Sequence, residues 1–222
     1  MQYIFNENAS LNTLTLQNED FKYLFKVKRL KQNDLINLRN LKDNFIYIYK
    51  IVKINKKEAI LTLEKKILAP QEQLKDFELF WCIIETKIIE KTIPFLNQIG
   101  VKKINFIYCK RSQKNFKLDL NRLRKILINS NQQCGRVDLM EIEIFDNLSD
   151  LLKKHKDLYI LDFGGEIDFQ KENIKKVLVG PEGGFCEEEQ KAFKNHKKIA
   201  FKTKNILKSE TAAVCISAKI LI

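Results

Sequence analysis

The first third of the chain has the pattern of β-strands. β-branched and aromatic residues, with partial alternation of apolar and polar positions, fill Asp34–Arg39, Phe45–Ile54 and Ala59–Leu63. The turn-forming residues KDN at 42–44 separate the first two of these segments. Several short strands in succession predict a small β-barrel.

One helix is predicted inside this strand-rich part, within residues 18–30 (NEDFKYLFKVKRL). Phe21, Leu24 and Phe25 have i, i+3, i+4 spacing, so they would share one apolar face of a helix. Asn18 is a candidate N-cap for it. The pattern therefore predicts a barrel with one short helix.

After Ala69-Pro70-Gln71 the pattern changes, and from Phe77 onward apolar runs alternate with helical segments. The apolar runs are LFWCII, INFIYC, LYILDF and KVLVG, and the helical segments include Thr86–Gln98, Leu118–Ile128, Glu187–His196 and Ser209–Ile222. Near-continuous apolar strands that alternate with helices indicate a parallel sheet covered on both faces. We therefore predict two domains, 1–69 and 70–222, with any ligand site at the carboxyl ends of the parallel strands.

The charge of the chain suits a polyanionic partner, since the formal net charge is +12. However, the basic residues are 34 Lys and only 6 Arg, and Asn and Ile are abundant, as in AT-rich coding sequence. Charge alone leaves both explanations open. No run approaches the roughly 18 apolar residues of a membrane-spanning helix, and the first residues lack a signal-peptide pattern, so we expect a cytoplasmic protein.

The five cysteines are dispersed along the chain, and only two histidines are present. A zinc site needs about four clustered ligands, so no metal site is predicted. An odd, scattered cysteine count also disfavours a disulfide framework, and buried reduced thiols are expected. His155 and His196 lie in lysine-rich segments and are interpreted as surface residues without a role in the chemistry.

A glycine-rich turn is the first segment that suggests a ligand. Three of the seven glycines lie within Gly180–Gly184 (GPEGG), between an apolar strand and a helix. Glycine permits positive φ and the close approach of a ligand. Glu187–Glu189 would occupy the first helical turn and repel a phosphate, and the phosphate-binding loop pattern is absent. The segment favours a neutral or cationic ligand, with a plain strand-to-helix turn as the alternative.

The second segment is Ile206–Ala213 (ILKSETAA). Ser209 is a candidate N-cap of the last helix, and the small residues after it would allow that helix to pack close to a neighbouring backbone. Taken alone, an ordinary capped helix explains this segment.

Together the two segments resemble the RsmE family of 16S ribosomal RNA (uridine-N3-)-methyltransferases, through the pair GPEGGF and LxxETAA at this spacing. Asn131–Arg136 (NQQCGR) is similar to the family's QCGR segment, Leu96–Val101 (LNQIGV) to its ELGV, and Phe25–Leu30 (FKVKRL) to its RVLR stretch. The resemblance implies an α/β fold of the SPOUT class, with a parallel sheet and a C-terminal trefoil knot, preceded by a small PUA-like β-barrel that binds RNA.

The resemblance also implies a cofactor, S-adenosyl-L-methionine, held among three loops, with Leu161 and Leu207 packed on its adenine ring. The residues implied to bind it are Leu161, Asp162, Phe163, Gly164, Gly180, Pro181, Glu182, Gly183, Gly184, Ile206, Leu207, Lys208, Glu210, Thr211 and Ala212.

The implied partners are a second copy of the chain and RNA. In SPOUT enzymes the active site forms at a dimer interface, so the resemblance implies a homodimer. It also implies that Lys26, Lys28 and Arg29 contact phosphates of 16S rRNA or of an assembled small ribosomal subunit. A solvated helix face is the alternative for these three residues.

The implied reaction is methylation of uridine N3, which requires removal of the N3 proton. A cation that stabilises the deprotonated ring would serve, and Arg136 is the candidate, with a structural salt bridge as its alternative role. Cys134 is interpreted as a packed thiol, because no histidine in its segment could activate it.

Four positions depart from the family pattern, which usually has Glu where Gln98 and Gln132 stand, often Lys where Phe95 stands and often Arg where Lys208 stands. These departures keep two other functions open. One is a non-catalytic RNA-binding or ribosome-assembly factor that retains the fold, and the other is a SPOUT methyltransferase that acts on another RNA atom.

Overall fold

The computed structural model describes residues 3–69, 75–112, 115, 117–165 and 173–222. The chain forms two compact units, one of Met1–Glu72 with Asn131–Leu139 and one of Gln73–Ser130 with Met140–Ile222. The predicted border at residues 69 and 70 adjoins residues outside the described set and stays a prediction.

A five-stranded sheet forms the first unit, in the order β1-β3-β4-β5-β2. Its strands are β1 (Ile4–Phe5), β2 (Thr13–Gln17), β3 (Leu35–Arg39), β4 (Phe45–Ile54) and β5 (Glu58–Leu68). Alternate residues point into one core, which includes Leu14 and Leu16 of β2 and Tyr49 and Ile51 of β4. The strands predicted from Asp34–Arg39, Phe45–Ile54 and Ala59–Leu63 are therefore present.

The predicted short helix is α1 (Asn18–Phe21), and it continues as a π-helical segment, Lys22–Val27. Phe21 and Leu24 are buried, as their spacing predicts. The predicted N-cap is wrong. Asn18 is the first helical residue, with φ of 55°, and its predecessor Gln17 makes no side-chain capping bond.

The segment Asn131–Leu139 belongs to the first unit although it lies far along the chain. The Tyr3 hydroxyl donates to the Arg136 carbonyl at 2.6 Å, and the Phe5 N–H donates to Gln132 Oε1 at 2.8 Å. Gln132, one of the departures from the family pattern, thus has a structural contact that a neutral amide satisfies.

The second unit contains a six-stranded, wholly parallel sheet in the order β11-β9-β10-β6-β7-β8. Its strands are β6 (Glu78–Cys82), β7 (Lys103–Ile107), β8 (Glu141–Phe145), β9 (Tyr159–Leu161), β10 (Lys176–Val179) and β11 (Lys198–Ile199). Its helices are α2 (Thr86–Ile99), α3 (Leu120–Cys134), α4 (Leu148–Lys154), α5 (Glu187–Ala192) and α6 (Ser209–Leu221), except that the end of α3 from Asn131 onward belongs to the first unit.

The parallel sheet confirms the predicted α/β class, and its strand order positions the loops considered below. β9, β10 and β11 follow one another along the chain, but β9 lies between β11 and β10 in the sheet. Their carboxyl ends therefore lie side by side, which is where α/β sheets bind ligands. The implied trefoil knot stays a prediction.

The cysteines correct one prediction. Cys82, at the end of β6, and Cys109, just after β7, form a disulfide with a Cα–Cα distance of 5.9 Å. Both are buried as predicted, but they are not reduced thiols. Neighbouring parallel strands bring them together across 27 residues of sequence. Cys134, Cys186 and Cys215 are free thiols, but Cys134 and Cys215 are exposed, so the predicted burial, and the interpretation of Cys134 as a packed thiol, are wrong for these two.

His155 also differs from its interpretation as a surface residue. It follows α4 and packs its ring edge-on against Phe80, with centroids 4.8 Å apart, and against Phe145 at 6.0 Å. Burial lowers the pKa of His155 below its ordinary value of 6.5, and the nearby Lys176 charge adds to this effect.

In the described part of the chain, no helix is long and apolar enough to cross a bilayer. Among the same residues, no cluster of three or more His, Cys, Asp or Glu side chains is arranged to hold a metal ion.

Candidate cofactor site

A cavity of about 420 Å³ lies at the carboxyl ends of β9, β10 and β11. Three segments line it: the loop after β9, the glycine-rich turn after β10, and the stretch between β11 and α6. The lining residues are Leu161, Asp162, Phe163, Gly164, Val179, Gly180, Pro181, Glu182, Gly183, Gly184, Phe185, Ala200, Phe201, Thr203, Asn205, Ile206, Leu207, Ser209 and Ala212.

The glycine-rich turn has the backbone geometry that its sequence predicts. Gly184 adopts a φ of 65°, and its N–H donates to the Pro181 carbonyl at 2.9 Å, which closes the turn. An added Cβ at Gly180 would lie 3.1 Å from the Phe185 ring. The turn therefore packs closely on its own following residue and presents main chain to the cavity.

Ser209 connects this turn to the last helix. Its hydroxyl donates to the Gly180 carbonyl at 2.6 Å and accepts from the Trp81 indole N–H at 2.9 Å. The prediction that Ser209 caps α6 is wrong, because Lys208 is the N-cap residue and makes no side-chain capping bond. Ser209 instead fixes Gly180 to α6 and to the buried core of the sheet.

Glu189 holds the far side of the turn. It lies in the first turn of α5, the position predicted for Glu187–Glu189, and its side chain is buried. One carboxylate oxygen accepts from the Cys186 N–H at 2.9 Å, and the other accepts from the Lys110 N–H at 2.7 Å. The loop after β7 is thereby attached to the helix that follows the glycine-rich turn.

That attached loop brings a cation to the turn. Arg111 Nη1 donates to the Gly183 carbonyl at 2.6 Å, and the Arg111 side chain is exposed. Ser112 N–H donates to the Cys109 carbonyl at 3.0 Å, so a tight turn carries Arg111 at its tip. Neither motif that suggested a ligand site contains Arg111. Its position after an apolar strand was the one available signal.

Asp162 lines the cavity, but its carboxylate is already engaged. Oδ2 accepts from Lys198 Nζ and from Gln190 Nε2, both at 2.9 Å, and Lys198 Nζ also donates to Gln190 Oε1 at 2.7 Å. This network fixes the loop after β9 to β11 and α5, so the Asp162 side chain serves to position the loop.

Most residues implied to bind a cofactor lie together in the cavity wall. Three do not: Lys208 and Thr211 are exposed outside it, and Glu210 is half-buried beside it. Glu210 Oε2 is shielded from solvent and has no hydrogen-bond partner among the described residues. Sequence reasoning missed several wall residues, namely Val179, Phe185, Ala200, Phe201, Thr203, Asn205 and Ser209.

The residues assigned to catalysis and RNA contact lie in the first unit. The Arg136 guanidinium forms an ion pair with Asp138 at 2.6 Å, and its side chain is only 6% exposed. Lys26, Lys28 and Arg29 are exposed at and just beyond the π-helical segment. Lys28 Nζ lies 5.9 Å from the centre of the Tyr23 ring.

Comparison with known proteins defines the class of protein first. Residues 70–221 match the family model of the RNA methyltransferase domain, and residues 16–64 match that of the RNA methyltransferase PUA domain. The two models together describe an RNA methyltransferase that has a PUA-like domain ahead of its methyltransferase domain.

A ribosomal RNA small subunit methyltransferase E from Helicobacter pylori is 39% identical over 226 residues, which cover 98% of each chain. Our chain belongs to the ribosomal RNA small subunit methyltransferase E family. This confirms the family and the enzyme class that the two motifs and the remaining resemblance predicted.

Solved structures share the fold. A ribosomal RNA small subunit methyltransferase E from Neisseria gonorrhoeae, bound to S-adenosyl methionine, matches with a TM-score of 0.78 and 22% identity over 98% of this chain and 95% of that one. A Legionella pneumophila protein in complex with the cofactor SAM matches with a TM-score of 0.80 and 21% identity, over 99% and 96%.

Proposed function

We propose that the protein transfers a methyl group from S-adenosylmethionine to N3 of a specific uridine in 16S ribosomal RNA. Family membership supports ribosomal RNA of the small subunit as the substrate. The observation that carries the cofactor assignment is the single cavity in which the glycine-rich turn and the start of α6 meet.

The cavity fits this cofactor in size and chemistry. Its volume, about 420 Å³, lies within the range of roughly 300–1,000 Å³ typical of small-molecule sites. Leu161 and Leu207 offer apolar side chains for an adenine ring, while the turn at Gly183 and Gly184 offers main-chain polar groups. The two solved neighbours that share this fold are bound to S-adenosylmethionine.

Charge around the cavity also favours a cationic ligand. Glu182 lies in the wall, and Glu210, which follows the wall residue Ser209 in the chain, has a carboxylate oxygen without a hydrogen-bond partner among the described residues. Bound S-adenosylmethionine would supply an electrophilic methyl group on a sulfonium centre. Carboxylates near a site attract such a cation and repel phosphate.

The chain must also handle the N3 proton of the target uridine. Arg136 is the proposed cation that stabilises the deprotonated ring, and its ion pair with Asp138 would hold its orientation. Arg111, on the loop after β7, is an exposed cation whose side chain donates to the Gly183 carbonyl of the glycine-rich turn. The RNA contacts of Lys26, Lys28 and Arg29 are proposed on their exposure. We further propose that the protein acts as a homodimer and that it is cytoplasmic.

Two measurements test this function together. Calorimetry should show S-adenosylmethionine binding to the wild-type protein and none to Gly183→Val, whose branched side chain would crowd Arg111 and distort the glycine-rich turn that lines the cavity. Nucleoside analysis of 16S rRNA or small subunits after reaction should show N3-methyluridine. Binding without any methylated nucleoside would favour an assembly factor, and a different methylated nucleoside would favour another target atom.

A further inference from the structure

Arg39 is a buried charge in the first unit that the proposed function does not use. It ends β3 and is only 2% exposed. Burial lowers the pKa of Arg39, although Tyr3, Asp43 and Asp138 counter this effect. A guanidinium shielded from water needs hydrogen-bond acceptors on all sides to offset the lost hydration.

The described residues provide only part of what this guanidinium needs. Nη2 donates to the Asp43 carbonyl at 2.9 Å, and the group lies 5.6 Å from the centre of the Tyr3 ring. Nε and Nη1 are shielded from solvent and have no acceptor among the described residues. Unmade hydrogen bonds of buried groups cost about 1–3 kcal/mol each, and more when the group is charged.

A small pocket of about 260 Å³ lies against Arg39. Its wall consists of Arg39, Leu41, Lys42, Asp43, Asn44, Val137, Asp138 and Leu139. Apolar side chains therefore lie beside side chains that donate hydrogen bonds and side chains that accept them. All of these residues belong to the first unit.

The loop that forms one wall is strained. Leu41 adopts a φ of 56°, in the left-handed region that branched side chains avoid. Such conformations cost roughly 1–3 kcal/mol and concentrate where a loop clamps a ligand. Because Nε and Nη1 are shielded, a ligand would reach them only if the loop around Leu41 shifted.

The charges of the wall decide between a phosphate and a base. The wall carries two cations, Arg39 and Lys42, and two carboxylates, Asp43 and Asp138, of which Asp138 also pairs with Arg136, so groups of both signs face the pocket. A neutral base that carries both acceptors and N–H donors matches arginine and carboxylate groups at once. Guanine has acceptors at O6 and N7, the partners that arginine contacts most often, and N–H donors for a carboxylate.

We propose that this pocket, the Arg39 pocket, binds an unstacked guanine base of single-stranded RNA. The apolar side chains of Leu41, Val137 and Leu139 would contact the faces of the base, and Arg39 would donate to its acceptor edge. Splayed-out bases are the usual targets of sequence-specific RNA recognition. The proposal depends on the proposed function only in that the ligand is RNA.

The test observes Arg39 directly by NMR. The chain has only 6 Arg, so their Nε–H signals form a sparse spectrum, and Arg39→Lys assigns the signal of Arg39. The trinucleotides AGA, AUA, ACA and AAA carry the same phosphates and differ in the central base. We expect the Arg39 signal to shift with AGA at a concentration about tenfold lower than with the others, since a good base contact discriminates by about 1–3 kcal/mol.

A second variant keeps the test valid if Arg39→Lys does not fold. Val137→Trp should fill the pocket and weaken AGA binding about tenfold or more, whereas Leu35→Trp, on exposed β3 surface outside the pocket, should leave it unchanged. An equal response to all trinucleotides or to inorganic phosphate, or no response at all, would overturn the proposal. No cofactor is present, so the result is independent of methyl transfer.

Discussion

Gly165 stands directly against the main chain of β11. An added Cβ would overlap the Ile199 carbonyl carbon and lie 2.6 Å from its Cα and N atoms. Backbone cannot move aside as a flexible side chain can. We predict that Gly165→Ala lowers the free energy of unfolding by about 1–3 kcal/mol, measured by urea denaturation.

Gly183→Ala is the matched control for that change. Its Cβ would meet only the Arg111 side chain, with Cδ at 3.4 Å, which is an ordinary contact. Equal stabilities of the wild type, Gly165→Ala and Gly183→Ala would show that β11 does not pack on Gly165 as described.

Arg136 is tested by separating turnover from cofactor affinity. If its guanidinium stabilises the uridine anion, Arg136→Ala should lower kcat about 100-fold while calorimetry finds S-adenosylmethionine affinity unchanged. Arg111→Ala is the comparison, because Arg111 contacts the glycine-rich turn and its loss should weaken cofactor binding. Normal turnover of Arg136→Ala would leave the ion pair with Asp138 as a purely structural contact.

His155 should make stability depend on pH. Its pKa is below 6.5 in the folded protein, mainly through burial, so the unfolded chain binds a proton at higher pH than the folded chain does. Stability is therefore full above about pH 6.5 and decreases as the pH falls below it. Denaturation at pH 7.5 and 5.5 should show this loss, and His155→Gln should reduce it. An unchanged pH dependence in His155→Gln, with His196→Gln as control, would refute the assignment.

At the scale of elements, the disulfide ties β6 to the loop after β7. The disulfide closes a loop between residues separated by 27 positions. Reducing it should therefore lower the free energy of unfolding by up to about 3–4 kcal/mol relative to the disulfide-bonded protein. Urea denaturation with and without a reductant measures this, with Cys134→Ala as a control that removes a free thiol. No reductant effect, with no linked peptide in a non-reducing digest, would contradict the bond.

Strands with strong local signals could be predicted from the sequence. β4 begins and ends at the predicted residues because alternating aromatic and β-branched positions are bounded by turn residues. β8 (EIEIF) was not predicted, since its five residues carry a weak and partly buried pattern. Both capping predictions were wrong, because capping depends on backbone angles and on competing partners, such as the Gly180 carbonyl for Ser209.

The composition of the cavity could be predicted only in part. The glycine-rich turn and the start of α6 carry their own local signals, whereas the wall between Ala200 and Asn205 has none. These segments meet because β9, β10 and β11 are neighbours in an order that the sequence does not contain. The resemblance to the family supplied the meeting of the three loops, but not the wall residues between Ala200 and Asn205.

At the scale of the whole molecule, chain order and spatial grouping differ. Asn131–Leu139 is inserted in the sequence of the second unit but belongs with the first, through contacts such as Tyr3 with Arg136. Hydrophobic periodicity reports local structure and cannot reveal such a grouping. The proposed catalytic cation, Arg136, and the Arg39 pocket both depend on this returning segment.

The reaction proposed for this chain is methylation of N3 of a uridine in small-subunit RNA. The most direct measurement is mass spectrometry of nucleosides from 16S rRNA of cells with and without the gene. N3-methyluridine should disappear when the gene is deleted and return with the wild-type protein but not with Gly183→Val. An unchanged level of N3-methyluridine in the deletion strain would contradict the proposed reaction.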